Sequence, residues 1–141
     1  MARLTYVSKT MNAGKSSSTA IYYFLTKDSF SHMHRLPTDE VFHFYLGDTV
    51  ELLELFPNGT HRITLLGSDI TTGEKPQHVV PAGVWQGARV VPGGDLALLG
   101  KTIAPGFIDS DYEHGDATLL SGQYPKVRDL IKKLTGEAVP F

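Results

Sequence analysis

The chain has 141 residues, with 13 Lys and Arg against 15 Asp and Glu, so its net charge of -2 calls for no polyanionic partner and none is expected from nucleic acid. Apolar residues make up 41% and charged residues 20%, which suits one folded domain over residues 1–141 and argues against a disordered tail or a coiled coil. Cysteine is absent, which excludes disulfides, thiolate metal sites, iron-sulfur clusters and cysteine nucleophiles.

The N-terminal residues 1–6 (MARLTY) lack the apolar run of a secretory signal. No segment reaches the ~20 apolar residues that span a bilayer, so a cytoplasmic protein without a membrane partner is expected. A first strand is drawn at residues 4–8. Gly14-Lys15-Ser16 resembles the end of a phosphate-binding loop, but Lys9 stands where that loop needs another Gly, and a β-like segment follows instead of a helix. A mobile, Ser-rich surface loop is the reading there.

Short apolar segments then alternate with turn chemistry at intervals of about 8 to 12 residues, the pattern of a sandwich or barrel. Strands are expected at 20–25, 31–36, 40–46, 50–56, 61–66, 78–80, 83–89 and 96–103. Asn58-Gly59 predicts a type I′ hairpin turn between the fourth and fifth of these. Val50, Leu52 and Phe56 take one parity of their strand, and Leu53 and Leu55 the other, so both faces are apolar and the second is expected to meet a partner subunit. After an acidic stretch with Asp109, Asp111, Glu113 and Asp116, which lacks the calcium-loop pattern, Asp116 is expected to cap a short helix over 117–120. A second helix over 126–134, opened by Pro125 and stopped by Gly136, presents Leu130, Ile131 and Leu134 on one face, and both helices are expected to plug or flank the sheets.

The chemistry gathers around residues 31–40. On a regular strand His32 and His34 project to one side and Met33 to the other, and Glu40, opening the next strand after the Pro37 turn, can bring a carboxylate beside the imidazoles. Two neutral nitrogens and one carboxylate suit Fe, Mn, Zn, Ni or Co in the divalent state, with positions left open for substrate. The alternative from these residues is a pair of polar histidines on a half-exposed strand.

Five segments together resemble the cupins, and within them the branch called cupin family five: residues 18–25 (STAIYYFL), 32–36 (HMHRL), 39–47 (DEVFHFYLG), 80–87 (VPAGVWQG) and 104–107 (APGF). The resemblance implies a double-stranded β-helix, the jelly-roll cupin barrel, all-β with short C-terminal helices. It carries the metal-binding roles of the first cupin motif onto His32, His34 and Glu40, with Gly47 closing the motif, and it places Gln86 where the second motif has its last metal-binding His. An amide is a weaker ligand than imidazole. The gap from His34 to Glu40 is also one residue longer than is usual in the family.

Phe42 and Phe44 share the parity of Glu40 and are expected to line the ligand space with Gln86, while Val41, His43 and Tyr45 face outward. Tyr23 is the candidate phenol donor, beside Ile21 and Leu25. Trp85 is read as packing, Arg89 as a surface ion pair or, with Lys101, an anion site.

The expectation is a homodimer that binds a small polar metabolite, with His32, His34, Glu40 and Tyr23 as catalytic candidates. A divalent-metal-dependent enzyme acting on a sugar-like or carbonyl-bearing compound is the main reading. The alternatives are a metal-independent epimerase or isomerase, with imidazole as base and a phenol as acid, and a non-catalytic ligand-binding or storage-like protein.

Overall fold

The computed structural model describes residues 1–136. In chain order the elements are β1 (Ala2–Val7), β2 (Met11–Asn12), β3 (Lys15–Ser16), β4 (Thr19–Thr26), β5 (Ser31–Arg35), β6 (Glu40–Gly47), β7 (Val50–Leu55), β8 (His61–Leu66), β9 (Gln77–Val80), β10 (Trp85–Val90), β11 (Leu96–Ile103), β12 (Glu113–His114), α1 (Ala117–Gln123) and α2 (Arg128–Lys133). They form two five-stranded antiparallel sheets, β1-β4-β11-β6-β9 and β12-β5-β10-β7-β8, and a small ribbon, β2-β3.

The expected closed barrel is corrected by this topology. Closure requires hydrogen-bonded ladders across both seams, and the edge strands here pair on one side only. At the β8–β9 side the link is the isolated parallel bridge Leu66–Lys75. Strand periodicity reports which face of a strand is buried and carries no information about seam pairing, so the sheets could be drawn from sequence while their closure could not.

Alternation packs the two sheets against each other. Tyr23, Leu25, Phe42, Ala97 and Leu99 from the first sheet meet Val50, Leu52, Leu66, Ala88 and Val90 from the second. The other parity of β7 is equally apolar, and Leu53 and Leu55 join Met33 beneath Leu120 and Tyr124 of the α1 region and Ile131 and Leu134 of the α2 region. The second face of β7 is therefore covered by the chain's own C-terminal helices, which corrects the expected subunit contact there. Asp116 caps α1, its Oδ1 accepting from the Leu119 N–H at 2.9 Å, and residues 125–127 form a 3₁₀ turn before α2 begins.

Two turns differ from expectation for local reasons. In the β7–β8 hairpin Gly59 has φ +88 and its N–H donates to Phe56 O at 3.0 Å, while Phe56 N–H donates to Thr60 O at 2.8 Å. Pro57 presets the first central position of a type I turn, so the loop takes three residues with a left-handed Gly, in place of a two-residue type I′ turn. The Gly14-Lys15-Ser16 loop is the β2–β3 ribbon, and Lys15 reaches Asp111 at 2.9 Å, so this segment is a fastening and the mobile loop is corrected.

Candidate functional site

Between the sheets lies a cavity of about 180 Å³, smaller than the ~300–1,000 Å³ of drug-sized pockets and suited to a small metabolite. The first sheet supplies Ile21 and Tyr23 from β4, Glu40 from β6, and Lys101 and Ile103 from β11, and the second sheet supplies His34 from β5. Register explains the grouping. Lys101 pairs with Ile21 on one side and Phe42 on the other, Leu99 pairs with Tyr23, and Ile103 pairs with Glu40, so Tyr23 and Glu40 sit diagonally beside Lys101 on the same face.

A strap after β11 closes one side, contributing Phe107 and Tyr112 to the lining. It is tied down by Gly106 N–H to Ser16 O at 2.7 Å, Phe107 N–H to Thr19 Oγ1 at 3.0 Å and the Lys15–Asp111 ion pair. Tyr112 stacks on His34 with ring centroids 5.1 Å apart, and its hydroxyl shares a 3.0 Å hydrogen bond with Nδ1 of the exposed His114. Exposed Ala2 and Leu4 of the edge strand β1 complete the rim.

Lys101 is only 4% exposed, and its Nζ lies 3.7 Å from the Tyr23 ring centroid and 4.9 Å from that of Phe42. Among the described residues no carboxylate oxygen lies within 4.0 Å of it. Burial lowers its pKa from the ordinary ammonium value, opposed by the charge of Glu40. Glu40 is itself buried, and its Oε1 has no hydrogen-bond partner among the described residues. Burial, then the neighbouring Lys101, hold His34 down at about 3. Its Nδ1 donates to the His32 carbonyl at 2.7 Å, because a carbonyl can only accept, and this leaves the Nε2 lone pair on a ring that lines the cavity. Burial pushes the Tyr23 phenol up to about 12, so it remains a donor at neutral pH.

The residues do not fit the divalent metal that the resemblance implies. Ser31 pairs with Ala88 and His34 with Gln86, so two residues, His32 and Met33, oppose the single Gly87. This β-bulge breaks the alternation on which the His32–His34 pairing rested. Met33 enters the helix-covered core, and His32 stacks on His114 at 3.7 Å with its Nδ1 hydrogen-bonded to Met33 O at 2.8 Å. His34 and Glu40 reach the cavity wall and His32 does not. Among the described residues no group of three His, Cys, Asp or Glu is arranged to hold a metal ion.

The other sequence candidates fall on two sides of the sheets. Gln86 is buried beside His34 in register, outside the cavity lining, with Oε1 unpartnered among the described residues. Phe42 and Phe44 belong to the apolar core, Phe42 beneath Lys101. Arg89 pairs with Glu51 at 3.2 Å, away from Lys101. Trp85 packs against the helix-covered core with Arg35 over its ring, and His43 lies outward against Thr102 and Tyr45. Tyr112 carried no sequence signal and Phe107 only its place in the 104–107 segment of the resemblance, with no role assigned, since both arrive through an irregular strap. Lys101 did carry one: it shares parity with Ala97, Leu99 and Ile103, a charge at a core position of its strand.

Similarity supports the same architecture. A structure of protein SO0799 from Shewanella oneidensis superposes with a TM-score of 0.88 at 30% identity, covering 95% of this chain and 85% of that one. A hypothetical protein from Leishmania major gives 0.86 at 27% identity over 96% and 89%. The uncharacterized protein YML079W of Saccharomyces cerevisiae is 29% identical over 92% of this chain, which spans 65% of that relative's length. The family described as Cupin superfamily (DUF985) matches residues 2–115, the stretch that holds both sheets and the cavity, and the chain belongs to that family.

Proposed function

We propose that the chain acts without a metal, binding a small carbonyl-bearing metabolite in the cavity and moving a proton on the carbon beside the carbonyl. The observation that carries this reading is the buried Lys101 sharing an enclosed space with Glu40, where a cupin metal centre would need three converging ligands. Lys101 directs the carbonyl end. The Glu40 carboxylate takes the proton from the adjacent carbon, the C–H electrons move onto the carbonyl oxygen, and return of the proton to the other face or the neighbouring carbon gives epimerisation or isomerisation. The Tyr23 hydroxyl donates to the developing oxyanion, and His34, neutral at physiological pH, accepts from a ligand hydroxyl through Nε2.

The test is proton exchange followed by NMR in deuterated water, with dihydroxyacetone, glyceraldehyde and pyruvate as probes, run with and without a chelator. Exchange is expected for at least one probe with wild-type protein and falls by about 10²- to 10⁴-fold in Glu40→Gln. Exchange that vanishes with chelator and returns with added Fe, Mn, Zn, Ni or Co would restore the metal reading and overturn this one.

A further inference from the structure

We propose that Lys101 is an imine-forming lysine whose substrates are small aldehydes or ketones. This rests on the carbonyl-binding reading and specifies its chemistry. A nucleophilic lysine needs an amine in contact with ligand space, surroundings that do not fix it as a salt-bridged ammonium, and nearby groups that handle protons. Lys101 meets each requirement. Its side chain lines the cavity, and the other lysines of the chain all lie at exposed or half-buried positions. Its Nζ contacts aromatic faces, and no carboxylate oxygen among the described residues lies within 4.0 Å of it. Glu40, on the same cavity wall, keeps one buried oxygen without a partner, so it can accept and return a proton without first breaking a hydrogen bond to that oxygen. Burial lowers the lysine toward the neutral amine, which agrees with this placement.

The balance is complete within these groups. Lys101 first gives its ammonium proton to the Glu40 carboxylate, leaving a neutral amine and a carboxylic acid. The Nζ lone pair then attacks the carbonyl carbon, the C=O π electrons move to oxygen, and a proton transfers from nitrogen to oxygen to give a carbinolamine. The hydroxyl leaves as water with a proton from the Glu40 carboxylic acid, and the nitrogen lone pair forms the C=N bond, giving the protonated imine. Glu40, again a carboxylate, then removes the proton from the neighbouring carbon, and the electrons settle on nitrogen as an enamine. The hydrogen bond between Tyr112, on the cavity wall, and solvent-exposed His114 supplies a route by which the site exchanges protons with bulk water.

The experiment is reductive trapping of the full chain with glyoxylate, pyruvate or dihydroxyacetone and cyanoborohydride, followed by intact mass and peptide mapping. Binding of the same probes is measured in parallel by saturation-transfer NMR. The expected result is a saturable adduct on the peptide containing Lys101, formed about tenfold or more faster than on the exposed lysines, and absent in Lys101→Met and Lys101→Arg variants whose circular dichroism matches wild type. Mapping on wild-type protein decides the matter even if a variant fails to fold. Adducts spread evenly over surface lysines overturn the imine. Binding or proton exchange without an adduct at Lys101 also overturns it, and leaves metal-free carbonyl binding standing. Neither binding, exchange nor adduct with any probe overturns both.

Discussion

His34 shows how a single buried group ties the site to the stability of the whole chain. Its imidazole is held at about 3, first by burial and then by Lys101, against an ordinary value of 6.5. Between those two pH values the unfolded chain carries a proton on this group that the folded chain refuses, so stability falls as pH falls through that window. Above it both states are neutral, and the group contributes no slope. Lys101 is also lowered, so it too makes stability rise with pH, in the window between its folded value and 10.5. Replacing His34 by Phe keeps a ring against Tyr112 and removes the titration. Urea unfolding at stepped pH is expected to show wild type losing stability on acidification more steeply than His34→Phe, the difference approaching ~1.4 kcal/mol per pH unit inside the window. Equal slopes would mean that the ring is protonated in the folded state, and the account of His34 as a neutral acceptor would then fail.

At the scale of elements, α1 and α2 keep the outer face of the second sheet dry. Ile131 is fully buried against the face that carries Met33, Leu53 and Leu55, whereas Leu119 on α1 is 65% exposed. Ile131→Ala is expected to cost about 2–5 kcal/mol and Leu119→Ala no more than ~0.5 kcal/mol, both read as shifts in the denaturant midpoint at an unchanged slope. A small loss at Ile131 would show that the helices rest loosely on the sheet. These same elements show which parts of the molecule were legible in sequence. The two-faced apolar pattern of β7 and the helix over 126–134 could both be read, but alternation says only that a face is covered, and the choice between a partner subunit and the chain's own helices depends on the path of the turn at residues 115–116. His32 and His34 were paired on the assumption of a regular strand, and a bulge opposite Gly87 is invisible to a period-two argument. Met33 packs into the space a side chain at Gly87 would take, where a Cβ would meet its Sδ at 2.5 Å. The Lys101 signal is present in the parity of β11, yet the sequence reading sets the residue only beside Arg89 in an anion site and not as a charge in the core phase of its strand.

At the scale of the molecule the two sheets are asymmetric in what covers them. The second sheet lies beneath its helices, while the first sheet turns Tyr22, Tyr45, Leu46 and Val79 to solvent, each between 46% and 54% exposed. An antiparallel sheet that faces water on one side ordinarily alternates to polar residues on that side. Here the outward parity holds an aromatic pair instead, Tyr22 and Tyr45 packed edge to face at 6.0 Å over Gly100, where any Cβ would strike the Tyr45 ring. Large apolar side chains exposed on a sheet face call for a partner, and we propose a second copy of this chain, since one face can pair with itself about a two-fold axis and a standard interface needs only ~800 Å² per partner. The homodimer would then form through the first sheet, not through the helix-covered β7 face. Sedimentation velocity at low micromolar concentration is expected to give a dimer for wild type and a monomer for the Tyr22→Glu, Val79→Glu double variant. Two charges on each copy would be buried without partners in that interface, while the outward-facing positions leave the monomer's core untouched. A wild-type monomer, or a double variant that remains dimeric, would remove the first sheet from consideration as the interface.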